Sequence, residues 1–170
     1  DHLEKKDKQG KIRQRLLKIR AKKVILATGA LERPLIFNNN DRPGIMLSSA
    51  VNKYADFYGV VCGQKTVFFT NNDSAYESAF CLHNKGIKVE AIIDIRDNSN
   101  SKIVKAVEDA GIKIHWSHTV VDTSGYKRLK NISVMRLSND GMSVTGNRIK
   151  ISSDCLGISG GWTPAVHLFT

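Results

Sequence analysis

Short apolar runs alternate with helical periodicity in the middle of the chain. The runs at 65–70 (KTVFFT), 88–94 (KVEAIID) and 112–116 (IKIHW) have the length and composition of buried strands. Between them, residues 74–85 and 101–110 place apolar side chains at helical spacing, and a glycine follows each segment. This order predicts β-α-β-α-β, with parallel strands in one sheet.

The residues around this unit follow other patterns. Residues 38–44 (NNNDRPG) have the composition of a loop. Helical spacing begins at Ser48, which is suited to cap a helix, and Gly59 is suited to end it. Residues 131–152 predict an antiparallel hairpin, which leads to a last strand at 155–159.

The N-terminal residues alternate between apolar and basic side chains. The turn-like composition of residues 7–11 predicts a hairpin that leads into a strand at 23–27. Leu17, Ile19 and Ala21 alternate with lysine and arginine, which is the pattern of a strand with one solvated face.

Positive charge is concentrated in the same segment. The net charge is +10, and residues 1–23 hold ten lysines and arginines against three acids, so they supply seven of these charges. A basic protein can bind nucleic-acid phosphates, but charge confined to one strand-like segment favours a solvated face. A surface for an acidic partner is the alternative, and we expect no nucleic-acid partner.

Composition limits the class of protein further. With 170 residues, 41% of them hydrophobic, the chain can form an ordinary folded domain. No apolar run reaches the roughly 18 residues of a membrane helix, so we expect a soluble protein. Three scattered cysteines without a CxxC pair predict no disulfide framework and no metal site, and hence a reducing, cytoplasmic compartment. The strand-like opening, without an initial methionine, indicates a segment of a longer polypeptide.

Two apolar runs end in a similar way. One ends at Thr28 and Gly29, and the other ends at Ser159 and Gly160. In open α/β sheets, ligands bind beyond the carboxyl ends of the strands, where glycine allows close approach. A simple turn explains one such ending. The pair, on either side of a βαβ unit, predicts two crossings between neighbouring dinucleotide-fold domains.

These residues carry a family resemblance. The strings VILATGALERPLIFNNNDRPGIM, VFFTNNDSAYESA, AIIDIR and GISGGWTPAVHL resemble the α subunits of heterotetrameric sarcosine oxidases over nearly the whole chain. More broadly, the chain resembles flavoproteins with two dinucleotide-binding domains. The resemblance implies an α/β fold: a three-layer, Rossmann-like NAD(P)-binding-type insert with a parallel sheet and an antiparallel hairpin or meander, flanked by pieces of an FAD/NAD(P)-binding-type outer domain.

The resemblance also implies a division of the chain. Residues 1–37 would end the outer domain with a hairpin and the ATG strand, and residues 38–59 would form a connecting loop and helix. Residues 60–154 would be the insert, and residues 155–170 the return strand to the outer domain.

The family's chemistry implies cofactors and partners beyond this segment. Such enzymes convert sarcosine to glycine and hydrogen peroxide, with a one-carbon unit passed to tetrahydrofolate or released as formaldehyde. The resemblance implies NAD in the α subunit, with FAD, FMN and tetrahydrofolate bound only in the full complex of α, β, γ and δ subunits. The segment alone would be inactive. The alternatives are an α subunit of another flavin-dependent amine or amino-acid dehydrogenase, or a non-catalytic docking module.

The candidate nucleotide loop, residues 71–73 between the predicted strand at 65–70 and the helix at 74–85, departs from the usual dinucleotide-binding pattern. It lacks the glycines that let a pyrophosphate approach the backbone, and Asp73 would repel phosphate. Asp94 has the spacing of an acid that binds the ribose 2'-hydroxyl, which favours NAD over NADP, although Arg96 could bind a 2'-phosphate. The loop is therefore either a weak nucleotide site or an inherited fold whose polar residues cap the next helix. In the second case the NAD that the resemblance implies would lie mainly on the outer domain, in a site lined by Thr28 and Gly29.

Trp162, which follows two glycines, either covers a cofactor or packs against the protein. No residue is predicted to be catalytic. The candidate cofactor-binding residues are Thr28, Gly29, Ala30, Asn71, Asn72, Asp73, Asp94, Gly160, Gly161 and Trp162.

Overall fold

The structure, a computed structural model, describes residues 16–168, which belong to two compact units. The larger unit is Gly29–Ala165. In chain order its elements are β1 (Ala30–Glu32), β2 (Ile45–Leu47), α1 (Ser48–Asp56), β3 (Thr66–Thr70), α2 (Ser74–Asn84), β4 (Val89–Asp94), α3 (Lys102–Asp109), β5 (Ile114–His115), β6 (His118–Ser124), β7 (Asn131–Leu137), β8 (Val144–Ser152), β9 (Cys155–Ser159) and β10 (Trp162–Pro164).

A parallel sheet forms the centre of the larger unit. Its strand order is β2-β9-β3-β4-β5, and every neighbouring pair is parallel. The predicted β-α-β-α-β unit corresponds to β3, α2, β4, α3 and β5, so this prediction is confirmed. Two further strands, β9 and β2, extend the sheet on the β3 side.

Strand β9 lies in the same sheet as the strands of the predicted insert. This strand was expected to lie outside the insert, in residues 155–170, but it pairs with both β2 and β3. Two ladders of backbone hydrogen bonds therefore hold it inside the sheet that contains the insert. The same is true of β2, which lies in the predicted connecting segment 38–59. The division into an outer domain and an insert stays a prediction.

The sheet is covered on both faces, which makes three layers. Successive side chains of a strand point to opposite faces, so Phe68 packs with Tyr76 and the other helix residues. Val67 and Phe69 pack on the other face, in one cluster with Ile132 of the antiparallel sheet. The predicted three-layer α/β architecture is confirmed.

The antiparallel layer has the strand order β6-β7-β8. Its second and third strands are the predicted hairpin, which is confirmed. The first strand was not predicted. Only Val120 and Thr123 of β6 are buried, and a bulge between Val120 and Asp122 interrupts the regular alternation that would have revealed it.

Helices α1 and α3 begin in different ways. Helix α1 begins at Ser48 itself, after Leu47, with no side-chain cap, so the predicted serine cap is wrong. Ser48 is instead fully buried. Ser101 does cap α3, because its hydroxyl accepts a hydrogen bond from the Val104 backbone N–H.

The predicted strand at 23–27 is wrong. The described residues of the smaller unit, 16–28 and 166–168, contain no helix or strand, and Val24 and Ile25 are 75% and 91% exposed. An apolar run becomes a strand only when another strand pairs with it, and no described strand pairs with this one. The strand predicted from the alternation of Leu17 to Lys22 is absent for the same reason. The hairpin predicted around residues 7–11 lies outside the described residues.

Candidate functional site

Three parallel strands end side by side at one edge of the sheet. Thr70 at the end of β3 lies in register with Asp94 of β4 and with Ser159 of β9. All three side chains are buried. We call this edge, with the loop 71–73 and the start of α2, the carboxyl edge. It is the place where open α/β sheets bind ligands.

Asn72 connects the loop to the neighbouring strand and to the helix. Its side-chain amide nitrogen donates to the Ser159 carbonyl at 3.2 Å and to the Ser159 hydroxyl at 3.1 Å. Its side-chain oxygen accepts from the Ser74 backbone N–H at 3.1 Å, which caps α2. Of the three loop residues predicted to cap the helix, Asn72 does so. Asp73 makes no side-chain cap bond.

The segment after β9 passes close to other backbone. Gly160 donates its N–H to the Arg33 carbonyl, and a Cβ atom on Gly160 would lie 3.0 Å from the Pro34 carbonyl oxygen. Gly161 has a φ of +99°, which glycine adopts without strain. Trp162, 47% exposed, donates its indole N–H to the Ser74 hydroxyl at 3.1 Å. The Trp162 side chain therefore lies at the start of α2.

Asp94 is fully buried and its oxygens are occupied. The Tyr76 hydroxyl donates to Oδ2 at 2.8 Å, and Arg96 donates its backbone N–H to Oδ1 at 2.9 Å and its Nη2 to Oδ2 at 2.7 Å. Arg96 also pairs with Asp73, at 2.8 Å between Nη1 and Oδ1. One arginine thus neutralises both acids that the sequence singled out, so Asp73 does not present an unpaired charge.

The surroundings shift the proton affinities of this cluster. Partial burial acts to raise the pKa of Asp73, but hydrogen bonds from Arg96 and Ser101 and the charge of Arg96 outweigh it and lower that pKa. Burial, followed by the charge of Asp94, raises the pKa of Tyr76. The tyrosine is therefore a hydrogen-bond donor throughout the physiological range.

Two of the remaining candidates make backbone contacts within the larger unit, and the third belongs to the smaller unit. Gly29, with a φ of +70°, accepts a hydrogen bond on its carbonyl from the Ala165 N–H, and Ala30 pairs with Pro164 in the ribbon of β1 and β10. Thr28 belongs to the smaller unit. The structure brings together Asn71, Asn72, Asp73, Asp94, Gly160, Gly161 and Trp162 along one edge.

Sequence reasoning missed two members of this site. Ser74 and Tyr76 were included only as part of the helical segment 74–85. A buried tyrosine needs a hydrogen-bond partner, so a core-facing tyrosine near a strand end is the signal that points to such a contact. Ser74 gives no comparable signal, because its contact with Trp162 spans 88 residues.

The described residues offer neither a reactive thiolate at Cys155 nor a metal site. Burial raises the pKa of the Cys155 thiol to about 12, which keeps it protonated at neutral pH. Among residues 16–168, no group of three or more His, Cys, Asp or Glu side chains is arranged to hold a metal ion. The described helices are all too short or too polar to cross a bilayer.

Sequence comparison identifies relatives of this chain. It is 41% identical over 169 residues to sarcosine oxidase subunit alpha of Corynebacterium sp. (strain P-1), which covers 98% of the chain and 17% of the relative. It is 37% identical over 158 residues to the same subunit of Rhizobium meliloti (strain 1021), which covers 91% of the chain and 14% of the relative. The resemblance to sarcosine oxidase α subunits is confirmed. The chain spans about a sixth of the length of these α subunits. No protein-family model matches it.

Solved structures agree with the α/β fold of this α-subunit-like segment. An FAD-dependent pyridine nucleotide-disulphide oxidoreductase from Desulfovibrio vulgaris superposes with a TM-score of 0.61 at 16% identity, covering 95% of this chain and 40% of that one. Thioredoxin reductase of T. acidophilum superposes with a TM-score of 0.57 at 15% identity, covering 81% of this chain and 43% of that one. These identities establish the fold alone, and the predicted fold class is confirmed.

Proposed function

We propose that this chain is a nucleotide-binding scaffold within the α subunit of a sarcosine-oxidase-like complex. The sequence match to sarcosine oxidase α subunits supports the assignment to such a complex. The observation that carries the scaffold role is the carboxyl edge, where the ends of β3, β4 and β9 meet beside Trp162.

In this proposal the full complex carries out the oxidation. It removes the methyl group of sarcosine oxidatively, reduces oxygen to hydrogen peroxide, and passes the one-carbon unit to tetrahydrofolate. FAD, FMN and tetrahydrofolate bind in other parts of the complex, which also contains β, γ and δ subunits in the cytoplasm. This chain contributes binding and positioning, and the chain alone does not turn over sarcosine.

The geometry of the loop favours weak binding of NAD. The N–H of Ser74, a donor that a helix start normally offers to phosphate, already bonds to the Asn72 side chain. Side chains at residues 71–73 also keep a pyrophosphate away from the backbone, because no glycine is present there. The exposed part of Trp162 remains to contact NAD, whereas the side-chain amides of Asn71 and Asn72 already donate to Gly160 and Ser159 and would have to exchange these bonds.

Asp94 sets the preference between the two dinucleotides in this proposal. Its carboxylate would accept a hydrogen bond from a ribose 2'-hydroxyl and repel a 2'-phosphate. Because Arg96 and Tyr76 occupy both oxygens, NAD must first displace the Arg96 side chain. Displacement of a charge-assisted hydrogen bond lowers the affinity further.

Titration of the isotope-labelled chain with NAD, followed by amide and indole chemical shifts, tests this proposal. We expect shifts at Asn72, Ser159 and the Trp162 indole, with a Kd no tighter than about 1 mM, which corresponds to about 4 kcal/mol. NADP serves as the matched ligand and is expected to bind more weakly.

Three results would contradict the proposal. Saturation at micromolar NAD would mean that the glycine-poor loop is a strong site. Shifts confined to residues away from the carboxyl edge, or tighter binding of NADP, would remove the assigned roles of Trp162 and Asp94.

A further inference from the structure

The opposite edge of the parallel sheet carries a row of lysines. Lys65, Lys88 and Lys113 immediately precede β3, β4 and β5, and all three are exposed. These strands are parallel neighbours, so their first residues lie at the same edge. The register places Lys65 beside Lys88, about 4.8 Å away across the sheet, whereas Lys113 lies opposite Ala91, three residues further along β4.

Strand β8 forms the second wall of a depression at this edge. The depression has a volume of about 450 Å³, and Lys65, Lys88, Lys113 and Lys150 line it together with Glu90. We call these four lysines and the depression the lysine cleft. Glu90, the one acid in its lining, pairs with Lys88 at 2.8 Å. The other three lysines form no ion pair with any residue from 16 to 168.

Helix direction argues against a phosphate ligand in this cleft. Helices α2 and α3 begin at the carboxyl edge and end at the lysine edge, so their N–H donors point away from the cleft. Phosphate sites in α/β folds use those donors. Lysines on flexible stems are separate point charges, which suit carboxylates distributed along a chain.

The backbone of β8 favours an extended ligand. Residues 149–152 all line the cleft, and β8 pairs only with β7 among the described strands. Its other edge can therefore accept an added strand, a common mode of peptide recognition.

We propose that the lysine cleft docks an extended, acidic segment of a partner polypeptide. The carboxylates of this segment lie against the four lysines, and its backbone runs along the free edge of β8. Charge complementarity of this kind gives specificity and fast association, and it weakens with salt.

A labelled octaglutamate peptide tests the proposal by fluorescence anisotropy at low salt. We expect the K65Q/K88Q/K113Q variant to bind at least tenfold more weakly than the unmodified chain. The matched control is K53Q/K102Q/K105Q, which removes the same number of charges from exposed positions on α1 and α3 and is expected to change affinity less than twofold. Peptide-induced shifts should include the amides of residues 149–152. Circular dichroism and urea midpoints verify that both variants fold.

Three outcomes would overturn the proposal. Equal weakening in both triple variants would mean that only net charge attracts the peptide. Displacement of the peptide by submillimolar pyrophosphate would assign the cleft to a phosphate-bearing ligand. Failure of the peptide to bind the unmodified chain at low salt would leave the lysines as solubilising residues of a sheet edge.

Discussion

The two edges of the parallel sheet differ in how many of their polar side chains have partners within the protein. At the carboxyl edge, Asn72 and Arg96 bond to groups from neighbouring elements. At the lysine edge, four lysines face one glutamate. The difference follows from helix direction. Helix starts at the carboxyl edge favour side-chain oxygens and acids, whereas helix ends at the other edge favour cations.

The two edges therefore differ in whether their polar groups are already hydrogen-bonded or are free to bind a ligand. A ligand at the carboxyl edge competes with hydrogen bonds that already exist, so its net gain is small. A ligand at the lysine edge meets three exposed lysines, Lys65, Lys113 and Lys150, that form no ion pair with the described residues. The following predictions test this contrast, from the largest expected effect to the smallest.

Asp94→Ala is expected to destabilise the chain by about 3–5 kcal/mol, because it leaves Tyr76 and the partly buried Arg96 without their shared acceptor. Urea unfolding measures this effect. The control is Asp97→Ala, an exposed acid three residues on, with an expected change within about 0.5 kcal/mol. A loss below about 1 kcal/mol for Asp94→Ala would show that the carboxyl edge is not held by this cluster.

Asn72→Ala is expected to cost about 1–2 kcal/mol, because it removes the cap of α2 and the bonds to Ser159. Asn72→Asp separates the two contributions, since it keeps the oxygen that accepts from Ser74 and removes the amide donor. We expect about half of the loss in that variant, measured by urea unfolding. If Asn72→Ala unfolds at the same urea concentration as the unmodified chain, the hydrogen bonds of Asn72 do not organise the edge.

The smallest expected effect concerns His115 in the lysine cleft. Burial, followed by the charges of Lys113 and His118, lowers its pKa from the ordinary value of 6.5. The folded state therefore binds fewer protons than the unfolded state just below that value, and stability falls as the pH drops through about 6.5. His115→Gln should flatten the dependence of the urea midpoint on pH between about 7 and 5.

The carboxyl edge should respond in a different pH range. The lowered pKa of Asp73 means that the contribution of Asp73 to stability is complete above its ordinary value of 3.8 and is lost as the pH falls further.

A His115→Gln variant that keeps the full slope between pH 7 and 5 would contradict the assignment of that slope to His115.

Local patterns predicted the repeating unit well and the site only in part. Helices α2 and α3 and the hairpin of β7 and β8 follow from periodicity and glycine positions, which neighbouring residues determine. The candidate residues Asn72 and Gly160 were identified from strand ends. Their grouping with Ser74 and Tyr76 depends on side-chain contacts between distant segments.

The sequence by itself determined the alternation of strands and helices from residue 65 to 116, because buried strands and amphipathic helices carry different periods. Only the tertiary structure decided that β9 lies between β2 and β3, that Arg96 neutralises both Asp73 and Asp94, and that three lysines share one edge. Thr70 and Ser159 are 89 residues apart, yet they are neighbours in register. Strand pairing depends on which strands pack together over the whole unit, and local periodicity contains no information about that choice.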